Sequence, residues 1–351
     1  MNLQAQIEGD LIAMLDEWHS LPEVWDNELD SQIHEWYAKV EPVYPKRPYF
    51  SPSAADACQR ELYMKAIGAE RDKTKQQPHQ GRWQRIGTAI GGVIQRDILF
   101  IEKHFERITG NKPPFVFERT PDGRPMFEDF AKKNHLVEWG DERFYLYGAP
   151  DGIMRYTTDD GEVIRVGLEI KSKQTTPAKT SLHSMIAPDY KHAKQVVAYS
   201  SMFDCDYYVI LYVNAAKQAW EVTDEQYEKT PDMRAFCLRI TDDDRTELFD
   251  RLAGINRAVR ERKPPKLDLD KWTFNNYKTA CALSLTDEEF DEIKAYVKRA
   301  LRSRLPEWRK QAYYDAFEFI REVREQRYAK SRQEGKSAHR NLLNYLEGVS
   351  E

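Results

Sequence analysis

Two short stretches decide how this chain is to be understood: Gly148-Ala149-Pro150-Asp151-Gly152 and Gly167-Leu168-Glu169-Ile170-Lys171. Their acids, Asp151 and Glu169, lie 18 residues apart. Between them Ile153 to Tyr156 and Val163 to Ile170 have the apolar pattern of strands, and Thr157-Thr158-Asp159-Asp160-Gly161 has the composition of a turn. A hairpin brings its distant ends together, so the spacing predicts Asp151 beside Glu169. Glu169 and Lys171 are two apart on a strand and share a face, while Ile170 points the other way. Two carboxylates with the Ile170 carbonyl make a hard oxygen set suited to Mg²⁺ or Mn²⁺. An ammonium beside them orients or deprotonates a water, or neutralises charge that develops on a phosphate. These are the parts that phosphodiester hydrolysis needs. The plainer alternative is a two-stranded ribbon with surface charges, since Glu-x-Lys is common and acquires meaning only from its surroundings.

Upstream, residues 3–18 and 28–40 are predicted to be amphipathic helices, with Leu3, Ile7, Leu11 and Leu15 four apart. The proline-containing segment Val43 to Ser53 is a connector. Ser51-Pro52-Ser53 opens a predicted helix running to Ile67, with serine as its cap. Trp83 to Phe105 is a long helix loosened at Gly87, Gly91 and Gly92. Short strands are expected at Phe115 to Glu118, Leu136 to Trp139 and Phe144 to Gly148. Downstream come a helix at Tyr190 to Phe203, a strongly apolar strand at Tyr207 to Val213, and a pairing segment at Ala219 to Val222. Asp242 to Arg262 is helical up to Pro264-Pro265. Thr286 caps a further helix with Glu289 in a capping-box pattern, and Pro306 to Gln333 is helical. The element order suggests an α/β core inside helical wrapping.

Three motifs now stand in order: Gly148-x-Pro150-Asp151-x-Ile153, Glu169-x-Lys171, and the helix segment Gln195-Val196-Val197-Ala198-Tyr199. Together they resemble the RecB-like branch of the PD-(D/E)xK nuclease superfamily. Ser51-Pro52-Ser53 to Cys58-Gln59-Arg60-Glu61-Leu62-Tyr63 is similar to that branch's opening helix, and Gly87-Thr88-Ala89-Ile90 to the next. The resemblance covers roughly residues 50–282. It implies an α/β fold with a restriction-endonuclease-like core, a central mixed sheet flanked by helices. An acidic helical extension (1–45) would precede the nuclease domain (46–282), and a helical extension (283–351) would follow it. It implies a metal-dependent DNA nuclease, with an exonuclease of recombination, repair or phage DNA processing favoured over an endonuclease. Asp151, Glu169, Lys171, Gln195 and Tyr199 would be the catalytic set. Asp151, Glu169, the Ile170 carbonyl and Gln95 would be the metal ligands.

The chain departs from the branch where a His and an acid usually follow Gly87: those places hold Gly91 and Gln95. An amide oxygen is a weaker ligand than a carboxylate, so metal number and activity are open. Some relatives hold an iron–sulfur cluster with four cysteines. Here only Cys58 and Cys281 occupy the corresponding places, so no cluster is expected. Cys205 and Cys237 complete the four cysteines, and no CxxC spacing suggests zinc or a disulfide framework.

The net charge of −5 is unevenly spread. Residues 1–40 hold nine acids and one Lys, while residues 291–340 hold fourteen Lys and Arg against eight acids. Local fields matter more than the sum. Lys173, Lys179, Lys191 and Lys194 flank the central motifs and would contact phosphates, with a solvated polar loop as the equal alternative. His183 and His192 are taken as structural or surface residues. Lys294 to Arg340 mixes Arg with Trp308, Tyr313, Tyr314 and Tyr328, a composition suited to single strands, yet its interspersed acids favour a solvated face with i,i+4 pairs. The acidic N-terminal helices would cover the core or bind a basic partner. Expected partners are DNA, single- or double-stranded and taken at ends, and a recombination or single-strand-annealing protein. No stretch approaches 18 consecutive apolar residues and no basic residue precedes the first apolar positions, so neither a membrane span nor a secretory signal is expected and a cytoplasmic location is the default. Two other functional classes stay open: a catalytically silent DNA-binding module, and a protein-interaction scaffold.

Overall fold

The structure, a computed structural model, describes the backbone of residues 2–347 and the side chains of residues 2–327. Helices α1 (Leu3–His19) and α2 (Asn27–Ala38) come first, then β1 (Tyr49–Phe50), α3 (Gln59–Ala66) and the long α4 (Pro78–Thr109). Next are β2 (Phe115–Phe117), the short α5 (Glu128–Ala131), β3 (Lys133–Trp139), β4 (Glu142–Gly148), β5 (Gly152–Thr157) and β6 (Val163–Lys173). They are followed by α6 (Tyr190–Phe203), β7 (Tyr207–Asn214), α7 (Asp224–Lys229), β8 (Met233–Arg239) and α8 (Asp242–Glu261). Helices α9 (Lys278–Leu283), α10 (Asp287–Leu301) and α11 (Glu307–Glu347) end the described chain.

The chain divides into two compact units: Met1–Asp56 with Lys75–Ala253, and Ala57–Thr74 with Gly254–Glu351. The first holds the strands, arranged as a five-stranded sheet in the order β2-β5-β6-β7-β8 and a three-stranded sheet in the order β1-β4-β3. The three-stranded sheet stands apart from the larger mixed sheet because β4 ends at Gly148 and pairs with β3 and β1 rather than with β5. The fold is mixed α/β, with helices on the sheets. Strands β6 and β7 are parallel and are joined by α6 as the crossover; the other pairs of the larger sheet are antiparallel. Tyr208 to Tyr212 of β7 are all fully buried, as a continuous apolar run in a central strand should be. Helix α1 closes one side with Ile7, Leu11 and Leu15, each wholly buried, and their spacing of four is what puts them on one helix face.

Three local expectations need correction. Ala219 to Val222 form no strand; the partner of β7 is β8, Met233–Arg239, whose alternating burial pattern marks it as a half-buried strand. The helix expected from Ser51 to Ile67 is broken: Pro52–Ala54 is a single 3-10 turn, the Ser51 side chain caps nothing, and α3 begins only at Gln59. Tertiary packing overrides good helix formers here: Pro52 lies against Gly148, and the buried Cys58 stands extended at the start of α3. The long helix, in contrast, starts earlier than predicted, at Pro78, closed by a reciprocal Gln77 and Gln80 capping box.

The second unit is helical. Arg60 of α3 is 1% exposed; it donates to the Pro265 carbonyl at 2.6 Å and pairs with Glu289, the capping-box acid of α10. A buried guanidinium needs such a set of acceptors. Val297, Ala300 and Tyr313 form a small core between α10 and α11. The expectation for Tyr328 and Arg340 lies outside the described side chains.

Candidate active site

Strand β5 begins at Gly152, opposite Leu168. Strand β6 runs five residues further, to Lys173, still paired with β7 on its other side. Glu169 to Lys173 therefore present an open edge where β5 has ended. The first free amide there, Ile170 N–H, donates to the Asp151 carboxylate at 2.6 Å. Gly152 permits this start, because a side chain at that position would lie 2.6 Å from the Phe117 ring. The Asp151 carbonyl accepts from the Gln95 amide of α4 at 2.8 Å.

Glu169 is 3% exposed. One of its oxygens meets the Lys171 ammonium at 2.5 Å and accepts from the Gln195 amide at 2.8 Å. Lys171 in turn donates to the Gln195 carbonyl oxygen at 3.0 Å, which closes a three-membered ring of carboxylate, ammonium and amide. One turn along α6, Tyr199 donates to the Ala149 carbonyl at 2.5 Å. A single helix face thus holds both ends of the hairpin. All five residues expected to be catalytic are brought together.

Burial, and then the neighbouring Glu169 charge, push the Asp151 carboxyl well above its usual range. Burial also raises Glu169, against the opposing pull of Lys171 and Gln195. A buried carboxylate, Glu169, beside the half-buried Asp151 favours a cation between them. The donor chemistry is consistent with one: Asp151, Glu169, carbonyl oxygen, and the Gln95 side-chain oxygen, which is buried with no hydrogen-bond partner. Such an orphan needs an explanation, and an ion is one. Among the described residues no three His, Cys, Asp or Glu side chains converge, so any metal here draws on amide and carbonyl oxygens as well as on the two acids.

The four lysines expected at DNA differ in their freedom. Lys179 is exposed. Lys173 is half-buried with its ammonium 4.9 Å from the Tyr212 ring centre, and burial lowers its pKa. Lys191 lies 3.9 Å from Asp189. Lys194 is tied to Glu247 at 2.7 Å. His192 meets the Tyr212 hydroxyl at 2.8 Å; burial, with Lys171 nearby, pushes its pKa down to about 3. His183 is exposed. In the helical unit the Asp268 N–H donates to the Cys58 sulfur at 3.3 Å, and the Asn275 amide to the Cys281 sulfur at 3.6 Å. Burial pushes the Cys281 thiol up to about 12, with the nearby Cys58 adding to the rise.

No family model matches the chain. No curated protein matches it either. Among solved structures it is similar to SSO0001, at TM-score 0.38 and 10% identity over 74% of this chain and 96% of that one. It is similar to an alkaline exonuclease (LHK-Exo) from Laribacter hongkongensis, at TM-score 0.34 and 12% identity over 65% of this chain and 95% of the other. The same exonuclease in complex with dAMP matches at TM-score 0.34 and 12% identity, over 60% and 88%.

Sequence reasoning missed the anchoring of α4 to the end of β6. Gln174 donates to the Trp83 carbonyl at 3.2 Å, and Gly87 lies against the Ser172 hydroxyl. Gly87 was the available signal, since a helical glycine costs stability unless something packs closely on it. Among the described residues no helix is long and apolar enough to cross a membrane.

Proposed function

We propose that this protein is a metal-dependent DNA nuclease of the PD-(D/E)xK type, acting as an exonuclease in recombination, repair or phage DNA processing. The observation that carries the proposal is the convergence of Asp151, Glu169 and Lys171 at the open end of β6, bridged by Gln195. Mg²⁺ or Mn²⁺ would be held by Asp151, Glu169, the Ile170 carbonyl and Gln95; when bound, it supplies Lewis-acid polarisation of a phosphate oxygen and an acidified water. The side chains do the positioning. Asp151 is fixed from both sides, by Ile170 N–H at its carboxylate and by Gln95 at its carbonyl. Gln195 holds the Lys171 ammonium against Glu169, so the cation is in place before a phosphate arrives. Such preorganisation is where electrostatic catalysis gains most. With its remaining donor Lys171 would reach the scissile phosphate or its attacking water. Lys173, Lys179, Lys191 and Lys194 would contact neighbouring phosphates, with Lys179 the freest and Lys194 the least free.

A second reading, a silent DNA-binding module, is favoured by one observation: Glu169 is already engaged by Lys171 and Gln195. Incubation of end-labelled linear DNA and of closed circles with Mg²⁺ or Mn²⁺ separates the two. Metal-dependent loss of linear DNA with circles intact supports the exonuclease, and nicked circles indicate an endonuclease. Binding with no cleavage of any form leaves the module.

A further inference from the structure

The first half of α4 is an arm with no fully buried residue. From Pro78 to Val93 no residue is buried, although Trp83, Ile86 and Val93 are 46%, 47% and 55% exposed. A helix of this kind is poorly supported by packing, and large apolar side chains left in water commonly mark a contact surface. Its charge is one-sided. Residues 75–96 contain Lys75, Arg82, Arg85 and Arg96 and no Asp or Glu, in a chain of net charge −5. Arg96 is committed to Asp30 at 2.8 Å. Arg82 and Arg85 are exposed, and among the described residues neither has a hydrogen-bond or ion-pair partner. They flank Trp83 in sequence.

The arm also lies at the candidate site. The Trp83 carbonyl is held by Gln174 and Gly87 rests on Ser172; Ser172 follows Lys171 on β6, and Gln174 lies just beyond the strand's end. At ~3.3 Å per residue of extended chain, Gln174 is ~10 Å from Lys171, a span of two or three nucleotides. A strand whose phosphodiester sat at Lys171 would pass the arm next.

We propose that Trp83, Arg82 and Arg85 form a binding platform for single-stranded DNA, with Trp83 stacking on an unpaired base and the two guanidinium groups on its flanking phosphates. The proposal deepens the nuclease reading and rests on it: it assigns the site an unpaired strand at the point of entry. The occupant follows from charge and chemistry. Polyanions suit an acid-free cationic arm, and an exposed indole between cations recognises a base face without regard to sequence. A duplex offers no free base face to Trp83.

The test is fluorescence anisotropy with a labelled twelve-nucleotide oligothymidylate in EDTA, where no cleavage intervenes. It uses the full chain, Trp83→Ala, Trp83→Phe and the double variant Arg82→Ala/Arg85→Ala. All three positions are exposed, and circular dichroism checks that each variant is folded. Loss of one stacked base corresponds to ~5–150-fold weaker binding for Trp83→Ala, with Trp83→Phe recovering much of it. The double variant should lower the salt dependence by ~1.4 in the log–log slope. Trp220→Ala, at a fully exposed indole elsewhere in this unit, should bind like wild type. Unchanged binding in Trp83→Ala and the double variant overturns the platform, as does an equal loss for Trp220→Ala or equal affinity for a duplex of the same length. Wild type that cleaves DNA while the arm variants bind normally refutes the arm and leaves the nuclease standing. Wild type that neither binds nor cleaves any DNA removes both.

Discussion

The Asp151 carboxylate accepts the Ile170 backbone N–H across 2.6 Å, and this bond exists because β5 begins at Gly152, opposite Leu168, two residues short of the position that would face Ile170. Had β5 extended past Gly152, the amide would belong to the ladder and Asp151 would be a surface charge. Asp151 is therefore part of the sheet's hydrogen bonding. Several consequences can be measured.

Gln195 touches both Glu169 and Lys171, so it acts through them. Gln195→Leu leaves a buried carboxylate oxygen and an ammonium without their bridge. Loss of a buried hydrogen-bond partner costs ~1–3 kcal/mol. Urea unfolding should show a loss of that size, and the cleavage rate of the folded variant should fall ~10–100-fold, the usual penalty for removing a group that orients ligands. An unaltered rate would deny Gln195 its positioning role.

Gly167 stands opposite Tyr208, and an added methyl there would fall 2.0 Å from the ring. Tyr208 is fully buried and stacks on Tyr199 with ring centres 6.3 Å apart. Gly167→Ala should destabilise the first unit by ~1–3 kcal/mol or more through overpacking. It should also disturb the Tyr199 bond to Ala149. A stability equal to wild type in urea titration would show that the sheet shifts freely there.

The orphaned oxygen of Gln95 should matter to metal affinity. Gln95→Leu should weaken Mn²⁺ binding, followed by calorimetry, by ~10-fold or more. The same change removes the donor to the Asp151 carbonyl, so Gln95→Glu is the informative companion. It restores an oxygen without restoring that donor, and affinity should recover at least in part. Equal weakening in both would place the role of Gln95 in the hydrogen bond alone.

His192 supplies a pH signature. Burial and the nearby Lys171 depress its pKa to about 3, from the ordinary 6.5. The unfolded chain therefore takes up a proton that the folded chain refuses between those values. The contribution is complete above pH ~6.5 and is lost as pH falls toward 3. His192→Gln keeps a partner for the Tyr212 hydroxyl and removes the titration. Its stability should fall less steeply with acid than that of wild type; parallel curves would show that His192 does not titrate as its burial implies.

Much of the site was legible because period-two alternation and a turn are strong local signals. Asp151, Glu169 and Lys171 could be placed beside one another from spacing alone, and Gln195 and Tyr199 share a face because they are one helical turn apart. Pairing across sequence distance was not legible. Nothing in Tyr49-Phe50 announces a strand beside β4, and β8 lies beyond a loop and the short α7, where Ala219 to Val222 had a better local composition. The break before Cys58 was also hidden, since its cause is packing of Pro52 on Gly148 from a distant strand. Gly87 carried the signal of a close contact, but the sequence could not say with what.

The central claim is tested most directly by single-turnover degradation of end-labelled linear DNA with Mn²⁺, comparing wild type with Lys171→Ala. Wild type should cleave in a reaction that EDTA abolishes, and the folded variant should be at least ~10²-fold slower. Cleavage by Lys171→Ala as fast as wild type would contradict that claim.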